Sequence, residues 1–298
     1  MKKTPLFEGL CTALATPMKD GEVDYPALRR LIAYQLEQKV DALLLLGTTG
    51  EAATLTREER RKIAEIGGEM TKGKAKYILG CGSNSTALAL DYAKDALDFG
   101  ADGILLVTPY YNKGTEKGIA AHFETVADQI PLPQILYHVP SRTGVHFTLA
   151  QIRRLSAHPR IVGVKEACPD LDFLQDEMAA SGEALDYYAG NDSLAIPTLS
   201  LGGIGLISVI SNLFPQKTGD MIRHFRAGKT AEALTVHRQL LPMMRLLFRE
   251  TNPAPLKYAL SLLGYGTGEV RLPLAEIDTP LKEDIKKEME FLEEQKIL

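Results

Sequence analysis

No stretch of this chain approaches the ~18 consecutive apolar residues that a membrane span requires, so a membrane-embedded class is not expected. The opening MKKTPLFEGLCTALATP carries Pro5, Glu8 and Gly9 where a secretory leader would have an unbroken apolar core, and no signal peptide is expected. Cysteine is scarce. Cys11, Cys81 and Cys168 stand far apart, make no CxxC pair and no metal-ligand spacing, and three is an odd count for a disulfide framework. They read as small buried residues of a protein in a reducing cytoplasm. Neither sign of charge is in large excess: the formal net charge of -4 offers no electrostatic footprint for nucleic acid or an acidic membrane surface. The glycine-rich GxGxxG turn of a dinucleotide-binding sheet is missing as well, since the first apolar run ends Ala15-Thr16-Pro17. Internal repeats and low-complexity tracts are not found.

What is present is the composition of a globular enzyme-sized chain. Its 298 residues are 45% hydrophobic and 24% charged, enough to bury a full core. Eight short apolar runs occur: Leu10–Ala15, Ala42–Leu46, Tyr77–Cys81, Gly103–Val107, Gln134–Val139, Ile161–Lys165, Leu185–Ala189 and Gly205–Ile210. Most are continuous rather than alternating, as expected of parallel strands covered on both faces. Helix-length amphipathic stretches separate them. Thr56-Arg57-Glu58-Glu59 and Thr148-Leu149-Ala150-Gln151 read as capping boxes, and Asp24 as a cap with Pro26 in the first turn. The helix begun at Thr56 is expected over Arg60–Met70, with Gly67-Gly68 and then Gly73 as breakers, and the one begun at Thr148 over Ile152–Ala157, stopped by His158-Pro159.

Eight strand-plus-helix units predict an α/β fold, a (β/α)8 TIM barrel, in preference to a doubly wound sheet. After the eighth run the pattern becomes wholly helical, over Thr218–Ala227, Thr230–Arg249, Pro255–Leu262 and Leu281–Glu294. The expected division is therefore a barrel over residues 1–226 and a C-terminal helical extension over residues 227–298.

In such a barrel the chemistry gathers at the C-terminal ends of the strands. Run two ends in Gly47-Thr48-Thr49-Gly50-Glu51, a tight turn whose N–H groups and hydroxyls suit an anion. Run four leads into Pro109-Tyr110-Tyr111-Asn112, and run five into Tyr137-His138-Val139-Pro140 followed by Ser141-Arg142-Thr143-Gly144. Strand alternation turns His138 away from the lumen if Tyr137 points into it, so His138 reads as structural. Run six, Ile161-Val162-Gly163-Val164-Lys165-Glu166-Ala167, is the most informative. A lysine closing an aliphatic strand is costly to bury as an ammonium, and the neutral amine is the nucleophile that imine formation with a ketone requires. Gly190-Asn191-Asp192 closes run seven, and run eight starts in a glycine-rich Gly202-Gly203-Ile204-Gly205, which suits close approach to a ligand.

Taken together, GTTGE at 47–51, PYYN at 109–112, LYHVPSRTG at 136–144, VKEA at 164–167, AGND at 189–192 and GGIGLISV at 202–209 resemble the pyruvate-dependent aldolase and lyase family that includes N-acetylneuraminate lyase. The six motifs fall in the family's order, and the resemblance runs through the whole chain. It implies that Lys165 forms a Schiff base with pyruvate and that Tyr137 relays protons. It implies that Thr48 links Tyr137 to Tyr111 in a hydroxyl chain and that Thr49 helps hold the pyruvate carboxylate. Arg142 is implied to bind the carboxylate of the incoming aldehyde, Gly190 to lie beside that second substrate, and the Ile207 carbonyl to sit near the lysine. No metal and no organic cofactor are implied.

Members that split sialic acid usually read GSTGE in the second loop and place a threonine two residues beyond the lysine. This chain has Thr48 and Ala167, together with the Arg142 pattern. The resemblance therefore favours the synthase branch, whose partners are pyruvate and L-aspartate 4-semialdehyde, over an aldolase for N-acetylneuraminate or a 2-keto-3-deoxy sugar acid. It further implies a homotetramer built as a dimer of dimers, with Tyr111 crossing the dimer interface.

Overall fold

The computed structural model describes residues 3–297. Eight parallel strands close into a barrel: β1 (Gly9–Ala13), β2 (Ala42–Leu45), β3 (Lys76–Gly80), β4 (Gly103–Val107), β5 (Gln134–His138), β6 (Ile161–Glu166), β7 (Asp186–Ala189) and β8 (Gly205–Ser208). Closure is made by β1 pairing with β2 on one side and with β8 on the other, Cys11 against Ala42 and Gly9 against Gly205. The expected (β/α)8 barrel is thus the observed fold, and an open doubly wound sheet is excluded by that closure. A short antiparallel hairpin, Met18–Lys19 with Glu22–Val23, follows β1 and was not legible as strand.

The continuous apolar runs have a simple cause. Alternate residues of one strand serve two different cores. In β2, Ala42 and Leu44 point into the barrel with Cys11, Ile78, Leu105, Ile135 and Ile207, while Leu43 and Leu45 pack under the helices. The lower end of the lumen is closed by Phe7, whose ring stacks on Tyr188 with centroids 4.4 Å apart and whose carbonyl accepts the Tyr188 hydroxyl at 2.9 Å.

Helices α1 (Tyr25–Glu37), α2 (Arg57–Thr71), α3 (Thr86–Asp98), α4 (Glu116–Gln129), α5 (Leu149–Ser156), α6 (Leu171–Ser181), α7 (Ala195–Ser200) and α8 (Pro215–Arg226) follow the eight strands in turn. Both capping boxes form: Thr56 with Glu59 and Thr148 with Gln151 each satisfy two backbone donors. Asp24 accepts from the Ala27 N–H at 2.9 Å and caps α1. Three further helices, α9 (Thr230–Leu246), α10 (Ala254–Leu262) and α11 (Thr279–Glu294), follow the last strand unit. Cys11 and Cys81 are buried, whereas Cys168 is only partly so, because it follows the end of β6 in a loop.

Helix α2 runs through Gly67-Gly68 and ends at Thr71, one residue beyond the expected Met70 and just before Gly73. The two glycines are there for closeness: a Cβ on Gly67 would lie 2.8 Å from the Tyr77 ring, and one on Gly68 only 2.0 Å from the Phe99 carbonyl oxygen. Packing against β3 and the end of α3 outweighs the ~1 kcal/mol that each glycine costs a helix.

This contact makes Gly68→Ala a sharp probe. The helix-propensity gain should be overridden, with a net loss of about 1–3 kcal/mol from overpacking. The check is the thermal-unfolding midpoint, and a midpoint at or above wild type would show that α2 and the Phe99 turn can move apart.

Candidate active site

Strand parity decides what reaches the lumen. In β5 and β6, Tyr137 lies opposite Lys165 and His138 opposite Glu166. The first pair points inward and the second outward. Lys165 is 5% exposed, and its Nζ lies 4.3 Å from the centroid of the Tyr137 ring, over its face. A cavity of about 430 Å³ opens above them at the C-terminal mouth of the barrel, and Thr48, Thr49, Tyr137, Arg142, Lys165 and Gly190 all line it.

Each of these side chains is held by local structure. Thr48 and Thr49 sit in a compact turn in which the Gly50 N–H donates to Gly47 O and the Glu51 N–H to Thr48 O, both at 3.1 Å. Gly50 fits closely there: a Cβ would approach the Leu46 nitrogen and Leu14 oxygen at 3.2 and 3.3 Å, tighter than an ordinary contact. Arg142 lies on a single helical turn, Pro140–Thr143, ended by Gly144 in the left-handed region at φ 65°. That turn sets the guanidinium on the exposed rim of the cavity, where Nη2 donates to the Asn252 carbonyl at 3.2 Å. Gly190 admits close approach of β7 to β6: its N–H donates to the Glu166 carbonyl at 2.6 Å, and a Cβ would meet the Ala167 methyl at 2.8 Å.

Two residues singled out in the sequence do not line this cavity. Ile207 is fully buried in the barrel core with Tyr137 and Tyr188. Tyr111 is 89% exposed, at φ 72° in the loop after β4, and faces solvent rather than the cavity of its own barrel.

Three further residues support the site: Asn252 lies outside every motif of the sequence, whereas Asp192 and Glu51 lie within AGND and GTTGE with no role assigned to them. Asn252, between α9 and α10, lines the cavity; its Nδ2 donates to the Thr49 hydroxyl at 3.0 Å, and its Oδ1 is buried with no hydrogen-bond partner among the described residues. The only sequence cue is an Asn-Pro turn dipeptide, which says nothing about a site. Asp192, within a motif whose role was left open, is buried and accepts from the Ser208 hydroxyl at 2.6 Å and from the Val209 and Ile210 N–H groups at 3.0 Å. Burial raises its pKa from the usual carboxyl range; the hydroxyl, the two N–H groups and the nearby Lys165 oppose that rise. Glu51 forms a buried ion pair with Lys257 of α10, with side chains 1% and 3% exposed, and also accepts the Arg271 N–H at 3.0 Å. The C-terminal helices therefore grip the Thr48–Thr49 turn from outside the barrel.

A (β/α)8 barrel with an inward lysine at the end of its sixth strand, hydroxyls beside it and an arginine on the rim belongs to the class of pyruvate-dependent, Schiff-base aldolases and lyases. The model of the dihydrodipicolinate synthetase family matches residues 6–292, and the chain is a member of that family. It is 44% identical over 269 residues to the 4-hydroxy-tetrahydrodipicolinate synthase of Oleidesulfovibrio alaskensis, covering 90% of this chain and 92% of that protein. The crystal structure of the Thermotoga maritima dihydrodipicolinate synthase superposes with a TM-score of 0.94 at 38% identity, covering 99% of this chain and all of that one. A dihydrodipicolinate synthase from Acinetobacter baumannii, described as chloride-inhibited and complexed with pyruvate, gives 0.93 at 35% identity over 98% and 99% of the two chains.

The Glu51–Lys257 pair tests how far the C-terminal helices support the site. Lys257→Met should cost about 3–5 kcal/mol, because it strands a buried carboxylate. Adding Glu51→Gln, which keeps an acceptor for the Arg271 N–H, should restore most of that loss. Denaturant unfolding of the single and double variants reads both numbers; no recovery in the double variant would mean that Lys257 acts by packing alone.

Proposed function

We infer that the chain condenses pyruvate with L-aspartate 4-semialdehyde to form 4-hydroxy-tetrahydrodipicolinate, the step that leads toward diaminopimelate and lysine, and that it does so in the cytoplasm. The observation that carries this reading is the Lys165 amine, 5% exposed and set against the Tyr137 ring on the floor of a cavity whose rim holds Arg142. Membership of the family and the names of its 40–44% identical relatives support it. Among the described residues no helix is long and apolar enough to cross a membrane.

The chemistry follows from the placement. The Lys165 amine attacks the ketone carbon of pyruvate through its nitrogen lone pair, and the carbinolamine loses water to give an imine. The Tyr137 hydroxyl, on the neighbouring strand, carries protons to the departing oxygen and from the pyruvate methyl. Thr48 and Thr49 hold the pyruvate carboxylate and the tyrosine hydroxyl in register, and Asn252 fixes the Thr49 hydroxyl. The imine withdraws electrons, so a methyl proton is lost and an enamine forms. The enamine carbon bonds to the aldehyde carbon of the second substrate, whose carboxylate rests on the forked donors of Arg142. The amine of that substrate then displaces Lys165, closing the ring and returning the free lysine. Ile207 supports the floor beneath this exchange with its backbone carbonyl, and Gly190 leaves room for the second substrate.

Tyr111 completes the hydroxyl chain from a neighbouring subunit. Its side chain is 89% exposed on a projecting loop in the single chain, and a two-fold dimer would set two such loops face to face. Two such dimers form the homotetramer.

Borohydride added with pyruvate should inactivate the protein and add one pyruvate-derived mass to the peptide containing Lys165. Label on a different lysine, or none, would defeat the Schiff-base reading. A panel of aldehydes then separates the synthase from a sugar-acid aldolase: L-aspartate 4-semialdehyde should be the preferred acceptor.

The shared site has its own test. Lys165→Ala and Tyr111→Phe chains, each inactive, are mixed after dissociation. Random pairing makes half the dimers hybrids, with one of their two sites intact, so roughly a quarter of wild-type activity should return. No recovery, with hybrids seen by native mass spectrometry, would place Tyr111 in its own barrel and leave the lysine chemistry untouched.

A further inference from the structure

On the outer face of the same strand pair, directly behind Tyr137 and Lys165, three ionisable side chains are sealed from water. His138 on β5, Glu166 on β6 and Glu177 on α6 are 0%, 4% and 0% exposed, and their ligand-capable atoms all lie within 4.8 Å of one another. His138 Nδ1 lies 2.7 Å from Glu166 Oε2 and 4.0 Å from Glu177 Oε1. Glu166 Oε1 accepts the Cys168 N–H at 2.5 Å. Neither oxygen of Glu177 receives a hydrogen bond from any N–H or hydroxyl group among the described residues.

We propose that Glu177 is held as a neutral carboxylic acid whose hydroxyl donates to the Glu166 carboxylate, and that this shared proton makes Glu177 a positioning residue for the strand end that carries Lys165.

The tautomer of His138 comes first. The Phe147 N–H points at its Nε2 from 3.3 Å, so that nitrogen is an acceptor and the proton sits on Nδ1. Nδ1–H then donates to Glu166. A nitrogen that carries a proton cannot also ligate a cation, so the His-Glu-Glu grouping is read as a proton-sharing cluster rather than a metal site. The imidazole is neutral, wrapped by Phe147 and Phe173 with ring centroids 5.1 and 5.5 Å away, and burial lowers its pKa.

With His138 neutral, two ionised glutamates would put two buried negative charges side by side with no cation between them. Like charges at that separation cannot both persist in a dry environment. The groups around Glu177 give no relief. Neutral His138 on β5 and Glu166 on β6 act on Glu177 directly, Asp170 at the cap of α6 acts on Glu166, and Cys168 in the loop after β6 and Tyr187 on β7 face both glutamates, with His146 stacked edge-on against His138 and Phe173. Burial raises the pKa of both glutamates, and the neighbouring Glu166 charge raises that of Glu177 further. Glu166 has the Cys168 N–H and the imidazole N–H to hold its charge, so Glu177 is the one that keeps the proton. One hydroxyl then satisfies both side chains, since an acid donates where a carboxylate only accepts.

The consequence for the site is mechanical. Glu166 is the residue after Lys165. Its side chain is tied to the Cys168 N–H and the His138 ring, and its carbonyl receives the Gly190 N–H. A second charge at Glu177 would push this carboxylate away and shift the end of β6, and a displacement of ~1 Å in a reacting amine can cost on the order of 10²-fold in rate. This part rests on the Schiff-base reading; the protonation state does not.

Two measurements decide it. Infrared difference spectra of wild type against Glu177→Gln at pH 8, where exposed carboxyl groups are ionised, should show one protonated-acid carbonyl band present in wild type and lost in the variant. Absence of that band in wild type, or its survival in Glu177→Gln, overturns the proposal. The second measurement is the rate of pyruvate trapping by borohydride. Glu177→Gln keeps an N–H donor at the same place and should stay within about twofold of wild type, whereas Glu177→Leu, which cannot donate, should fall by about tenfold or more with an unchanged circular-dichroism spectrum. A Gln variant as impaired as the Leu variant would show that the charge itself is needed and sink the idea. Should the Leu variant not fold, the infrared band and the Gln rate still decide. Failure of wild-type trapping would instead reject the Schiff-base reading, with the band reporting on Glu177 independently.

Discussion

A strand buried on both faces can carry an ionisable group only where a specific partner or a specific use exists for it, and β6 carries two in succession. Lys165 turns into the lumen and Glu166 turns out toward α6. The energetic cost of keeping either one dry is several kcal/mol unless it is neutral or well hydrogen-bonded. The rest of the structure can be understood as meeting that constraint on both sides of one backbone. Inside, the aromatic face of Tyr137 lies 4.3 Å from the amine and a polar cavity stands above it. Outside, His138 and the Cys168 N–H supply donors to the carboxylate.

The barrel by itself does not finish the site. The Thr48–Thr49 turn lies between the strands and the C-terminal helices, and it is fastened from both. Thr16 donates its hydroxyl to the Gly50 carbonyl at 2.8 Å from the β1 side. Asn252 donates to Thr49, and Lys257 pairs with Glu51, from the helical side. Arg142 is steadied by the carbonyl of the same Asn252. The segment between α9 and α10 is thus one wall of the cavity. A rigid wall matters here because binding and attack geometry tolerate little slack.

Much of this was legible in the chain. Parallel strands covered on both faces need continuous apolar runs, so all eight strands could be placed, most to within a residue or two at each end. Capping boxes work through side chains three residues apart, and both that were read in the sequence form. Lys165 stood out because a lysine has no business closing an aliphatic run unless something uses it. The role of the glycine pair at 67–68 was not legible, because the same residue that ends helices also lets them pack closely, and only the neighbouring Phe99 and Tyr77 reveal which applies.

By itself, then, the sequence determined the strand count, the barrel, the strand end that bears the amine and the family to which the chain belongs. These rest on local periodicity and on short motifs, whose physics is contained within a few residues. The tertiary structure alone decided that Asn252 reaches Thr49 across 203 positions, that Lys257 neutralises Glu51, and that Glu177 comes to lie against Glu166 and His138. Such contacts join side chains whose spacing along the chain carries no signal. What favours them is the cost of leaving a buried polar group without a partner, a cost that exists only once the surrounding packing has removed the water.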